Sequence, residues 1–149
     1  MALEDVESAV TGLSEEQVWA QPGGIAPLGF HLAHLAGSTD RLLTYARGES
    51  LSETQRAALA RERTLADERP SLDGLLATWQ ASIDVALAQL AATPEPVLSE
   101  PRTVGRAQLP STVLGLLFHA AEHASRHTGQ VVTTSKLVRG LTKSPSVAI

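Results

Sequence analysis

The stretch PSTVLGLLFHAAEHASRHTGQVVTTSKLVRG, residues 110–140, decides the fold. At 100° per residue, Val113, Leu116, Leu117, Ala120, Ala124, Val131, Thr134 and Val138 fall on one arc, the signature of an amphipathic helix. The spacing predicts a single long helix from Pro110-Ser111 to about Arg139, stopped at Gly140, with Leu141 to Ile149 as a short tail. His123 and His127 lie inside the apolar arc and point at the core. His119 sits near its edge, about 90° from the centre.

Upstream, Pro94, Pro96, Pro101, Gly105 and Pro110 exclude a helix over residues 93–110, which reads as a long connection crossing the molecule. Before it, Ser71, with Asp73 behind, caps a helix reaching Ala92 whose Leu75, Trp79, Ile83, Leu87 and Leu90 line one face. Ser52 to about Leu65 is polar and reads as a short, less buried helix. Pro27 suits the first turn of a helix that runs to about Arg47, with Gly48 as its cap and Leu28, Leu32, Leu35, Leu42 and Ala46 as its stripe. Ala2 to about Leu13 forms the first helix, closed by Gly12. A capping box, Ser14-Glu15-Glu16-Gln17, then starts one or two more turns that Gln21-Pro22-Gly23-Gly24 ends. The only aromatics are Trp19, Phe30, Tyr45, Trp79 and Phe118, too few for a β-sandwich. The expected class is all-α: a four-helix bundle with long connections, residues 1–149 forming one domain.

Composition removes whole classes of function. At 149 residues with 43% hydrophobic content, the chain can bury one sizeable core. Twelve Lys and Arg against 16 Asp and Glu leave a net charge of −4, and the basic residues are scattered, so neither nucleic acid nor a membrane surface is an expected partner. Without cysteine there is no disulfide, thiolate-bound zinc, iron–sulfur cluster or cysteine nucleophile, and any metal must be held by His, Asp or Glu. Met1-Ala2-Leu3-Glu4-Asp5 lacks the features of a secretory signal, and the longest apolar run, Val113 to Phe118, is far shorter than the ~18 residues of a membrane span. The expected location is cytoplasmic.

All five histidines fall in two clusters on two predicted helices: His31 and His34, then His119, His123 and His127. A lone inward histidine is ordinarily a core residue with a backbone partner. Two inward imidazoles at i and i+4 can instead reach one metal ion, and a third from a facing helix leaves open positions for water or substrate. His31 and His34 both qualify as that third ligand, and by periodicity His31 lies closer to the apolar centre of its helix.

The sequence also resembles a known family. His34-Leu35 after Pro27-Leu28-Gly29-Phe30, then Asp40-Arg41-Leu42, then His123-x-x-x-His127-x-Gly129-Gln130, look like the DinB-like (damage-inducible) helical-bundle proteins, across nearly the whole chain. The resemblance implies a four-helix bundle, often homodimeric, with a divalent metal, zinc or nickel first, held by one histidine of the second helix and two of the last. Carried over, these are His34, His123 and His127, with His31 as the alternate. It further implies kinship with transferases and isomerases that use bacillithiol or mycothiol, and no relation to the translesion polymerase of similar name.

Around this set, Gln130 is placed to bond a ligand one turn away. Ser38 and Tyr45 share the side of the second helix that carries His34, where either could touch a metal-bound water, with packing the main role of Tyr45. Glu122 and Arg126 fall on the outer face as solvated charges, and no carboxylate shows itself as a general base. Two functions follow. One is a metal-dependent enzyme acting on a small-molecule substrate, either a small-thiol-dependent S-transferase or a hydrolase using metal-activated water. The other is a non-catalytic metal- or ligand-binding protein of stress response.

Overall fold

The structure is a computed structural model that describes residues 2–143, with side chains over residues 2–141. It is mostly helical, with a small two-stranded sheet. In chain order the elements are α1 (Ala2–Val10), α2 (Glu15–Trp19), a 3₁₀ turn (Pro22–Gly24), α3 (Leu28–Ala46), α4 (Glu53–Arg61), α5 (Leu65–Glu68), α6 (Leu72–Ala92), a 3₁₀ turn (Glu95–Val97), β1 (Pro101–Val104), β2 (Leu109–Thr112) and α7 (Val113–Lys143). The remainder of the predicted tail, residues 144–149, lies outside the described residues.

The local signals act as their chemistry requires. Ser14 and Ser52 both form capping boxes, with Gln17 and Gln55 reaching back to the cap, and the Ser71 hydroxyl accepts from the Gly74 amide. The polar segment after Ser52 is not one helix. It breaks beyond Arg61 and resumes as α5, which ends on Arg69 in the left-handed conformation (φ 45°).

The connection before the last helix is also more ordered than expected. Pro101–Val104 and Leu109–Thr112 pair antiparallel, with Pro101 opposite Thr112 and Val104 opposite Leu109. Both prolines sit in a two-strand ribbon, where every strand is an edge and a missing N–H is tolerated. Gly105 (φ 72°) and Gln108 (φ 49°) supply the turn. Pro110 and Ser111 therefore belong to β2, and α7 begins at Val113, where the Thr112 hydroxyl accepts from the Gly115 amide at 3.0 Å. At the other end Gly140 stays helical, because glycine stops a helix only where it turns left-handed. Just before it, Arg139 is anchored to the carbonyls of Ala9 and Thr11 at the end of α1 (3.0 and 2.7 Å).

Helix α3 is the centre of the packing, flanked by α7 and α6, while α1 packs on α7. Val6, Val10, Val18, Leu28, Leu32, Leu35, Trp79 and Val131 form the main core, and Leu42, Ala46, Leu116 and Ala120 a second cluster toward the hairpin. Gly29 lets the Trp19 ring lie directly on α3: a Cβ there would stand 2.6 Å from the ring. The Trp19 indole N–H then donates to the Pro70 carbonyl at 3.2 Å, tying α2 to the start of α6.

The apolar stripe of α6 is buried only at its beginning. Leu75 and Trp79 are in the core, but Leu87 and Leu90 are 59% and 53% exposed. The reason is length: α1, with 9 residues, is far shorter than the 21-residue α6 and cannot cover it. By length and composition α6 would suffice to cross a membrane, with a mean hydropathy of 1.2 over 18 residues.

Candidate metal centre

Helices α3 and α7 bring the two histidine clusters face to face. On α3, His34 and Arg41 are seven residues apart and share a face, with His31 one turn before His34. On α7, His123 and His127 are four apart and face the same space. Each of His34, His123 and His127 offers one ring nitrogen to a cluster in which all three donor atoms lie within 4.8 Å of one another. His34 Nε2 and His123 Nε2 are 3.0 Å apart. The ring centroids stand 4.7 Å (His34–His127), 4.5 Å (His123–His127) and 5.1 Å (His34–His123) apart.

His31 is buried behind this cluster rather than in it: its Nδ1 meets Nδ1 of His127 at 3.1 Å, which leaves Nε2 as the free nitrogen of His127. Phe30 stacks on His34, with centroids 5.5 Å apart and planes within 9°, and covers one face of that ring. Among the described residues, His123 Nδ1 is buried with no hydrogen-bond partner.

The electrostatics favour the neutral form of His31, His123 and His127. Burial, followed by the neighbouring His34, His123 and His31, lowers the pKa of His127 to about 4. Burial also lowers His123, with His34, His119 and Arg126 adding to the effect and Glu122 opposing it. His31 is lowered by burial and by His34. Neutral imidazoles carry free lone pairs at physiological pH. A set of three ring nitrogens without a thiolate suits a borderline divalent cation, so the residues present fit a metal.

Sequence reasoning missed one participant. Glu62, the residue that ends α4, holds His34 Nδ1 at 2.8 Å and the Arg41 guanidinium at 2.7 Å, with its side chain only 10% exposed. Burial pushes its pKa up, but the hydrogen bonds from His34 and Arg41 outweigh that and hold the carboxyl below its ordinary value. The available signal was Arg41: an arginine on the inner face of α3, in register with His34, requires a buried carboxylate. Its sequence position could not be read, because α4 returns to α3 through an irregular loop.

The other candidates separate clearly. Gln130 is exposed on α7 and makes no hydrogen bond to the three histidines among the described residues, which corrects its expected bond to one of them. The Ser38 hydroxyl donates to the Leu35 carbonyl at 3.3 Å, and Tyr45 packs on the cluster around Leu42 and Leu116. His119 is exposed at the rim, its ring centroid 5.7 Å from that of His123 and its Nδ1 3.6 Å from Glu122. Glu122 and Arg126 pair with each other on the outer face, as expected.

A family model of the DinB superfamily matches residues 1–131, a span that includes all five histidines, Arg41 and Glu62. None of the curated proteins compared with the chain matches it.

Proposed function

The chain belongs to the DinB superfamily, and from that premise we propose that it is a metal-dependent enzyme whose His34, His123 and His127 hold one divalent cation, zinc or nickel first. The observation that carries this reading is the convergence of three imidazoles from α3 and α7, whose donor atoms lie within 4.8 Å of one another. When bound, a cation with three protein ligands keeps positions open and makes a thiol or a water nucleophilic near neutral pH. The chain has no cysteine, so a thiol must arrive as a small-molecule cosubstrate of the bacillithiol or mycothiol kind. S-transfer from such a thiol to an electrophilic small molecule is the favoured reaction, and hydrolysis by activated water is the alternative.

The chain's own residues have separable parts in this reading. His34, His123 and His127 bind, His31 holds the far nitrogen of His127, and Phe30 keeps water from one face of His34. The wider arrangement that goes with it is a single cytoplasmic domain, a bundle of α1, α3, α6 and α7, working as a homodimer without nucleic acid or membrane partners. The exposed Val85, Leu87 and Leu90 of α6 support the dimer, since a second copy would cover them.

A second reading, a non-catalytic ligand-binding protein of stress response, draws support from a cavity of about 350 Å³ between α1, α3, α6 and α7, lined by residues that include Leu3, Leu43, Trp79, Ile83, Leu87 and Leu117. The deciding experiment has two parts: elemental analysis of protein purified without an affinity tag, then turnover of an electrophilic substrate by metal-loaded protein with and without bacillithiol. Turnover that requires the thiol supports the transferase, and equal rates in both arms leave only the hydrolase. No turnover in either arm favours the binding protein.

A further inference from the structure

We propose that Glu62, clamped by Arg41, is a positioning residue that selects the tautomer of His34 able to bind a metal. The inference rests on the reading of His34 as a ligand and adds the device that makes it one. A neutral imidazole carries one proton on either ring nitrogen, and only the unprotonated nitrogen can coordinate. His34 Nε2 faces the cluster, 3.0 Å from His123 Nε2, so the proton must reside on Nδ1 for His34 to serve.

Glu62 enforces this through its own saturation. Its Oε1 accepts from Arg41 NH1 at 2.7 Å and its Oε2 meets His34 Nδ1 at 2.8 Å. A carboxylate held ionised by a guanidinium can only accept, so His34 Nδ1 must donate. The clamp is built into α3 itself. A Cβ on Gly37 would stand 2.7 Å from Arg41 NH1 and 2.8 Å from Glu62 Oε1, so glycine at this position makes room for the pair beside the helix. Arg41 and Glu62 are each only 10% exposed at the side chain, which excludes most competing water.

Substitution Glu62→Gln gives the proposal a distinctive signature. Glutamine has one acceptor where glutamate has two, yet both partners present donors. Arg41 has no acceptor to offer, so the amide oxygen must stay with it and the amide N–H₂ must face His34 Nδ1. His34 can comply only by moving its proton to Nε2, which turns an N–H toward the metal site. The tautomer is read from ¹⁵N chemical shifts of His34 in metal-free protein at pH 7.5, and zinc affinity from competition with a chromophoric chelator.

The expected result is Nδ1–H in the wild type, Nε2–H in Glu62→Gln, and zinc affinity reduced by about 10–100-fold with unchanged helicity. Gly37→Ala, which displaces the pair and removes no polar group, should weaken zinc binding in the same direction. Glu122→Gln, at the rim, should alter neither readout. An unchanged tautomer in Glu62→Gln, or zinc affinity within about twofold of wild type in both Glu62→Gln and Gly37→Ala, would overturn the role of Glu62 alone. A wild-type protein that binds no zinc would overturn the metal reading and this inference with it.

Discussion

Metal-free protein should lose stability on acidification through His127, and the amount can be worked from its surroundings. In the unfolded chain the imidazole titrates at its ordinary 6.5, while in the fold burial and the neighbouring rings lower it to about 4. Between these values the unfolded state binds a proton that the folded state refuses, so stability is full above about pH 6.5 and falls as pH drops toward 4. From pH 7 to pH 5 the linkage for one such group is about 2 kcal/mol. His127 is only half-buried, and solvent screening reduces the expected loss to about 1 kcal/mol. For a domain of this size that is a melting shift of roughly 2–4 °C. His31 and His123 are lowered too and act in the same direction, so the contribution of His127 must be isolated by difference. Urea unfolding of chelator-treated wild type and His127→Gln at both pH values provides that difference. The wild type should lose about 1 kcal/mol more than the variant. Equal losses in the two proteins would refute the argument that the fold holds this ring neutral.

Further outcomes follow from the same packing. His123→Ala should abolish stoichiometric metal binding in tag-free protein by elemental analysis, whereas His119→Ala, altering an exposed rim residue, should leave it intact. Gly29→Ala places a Cβ 2.6 Å from the Trp19 ring and should cost about 1–3 kcal/mol in thermal unfolding. Leu87→Glu combined with Leu90→Glu should convert a dimer to monomers in light scattering while leaving the melting temperature nearly unchanged, because both side chains are more than half exposed within one copy. A dimer that survives this double substitution would place its interface elsewhere.

The legible part of the protein was what periodicity and caps encode. The helical course of α3, α6 and α7, the serine caps at 14 and 71, and the inward aim of His123 and His127 depend on residues a few positions apart. The β-hairpin was obscured by its prolines, which rule out helix but say nothing about whether two extended segments will pair. The start of α7 shifted for a related reason, since Thr112 and not Ser111 provides the cap once β2 has claimed Pro110.

The choice between His31 and His34 shows where sequence reading stops. Periodicity on α3 correctly placed His31 nearer the buried centre, and His31 is indeed the more buried residue. Burial and membership of the cluster are separate properties, and only the way α7 lies against α3 puts His34 among the facing nitrogens and His31 behind His127. Glu62 lies further from reach, because its partners are 21 and 28 residues away and meet it only after α4 has folded back on α3. Local spacing thus determined which faces carry imidazoles. The register between helices, which no short-range interaction controls, decided which of them meet and what holds them there.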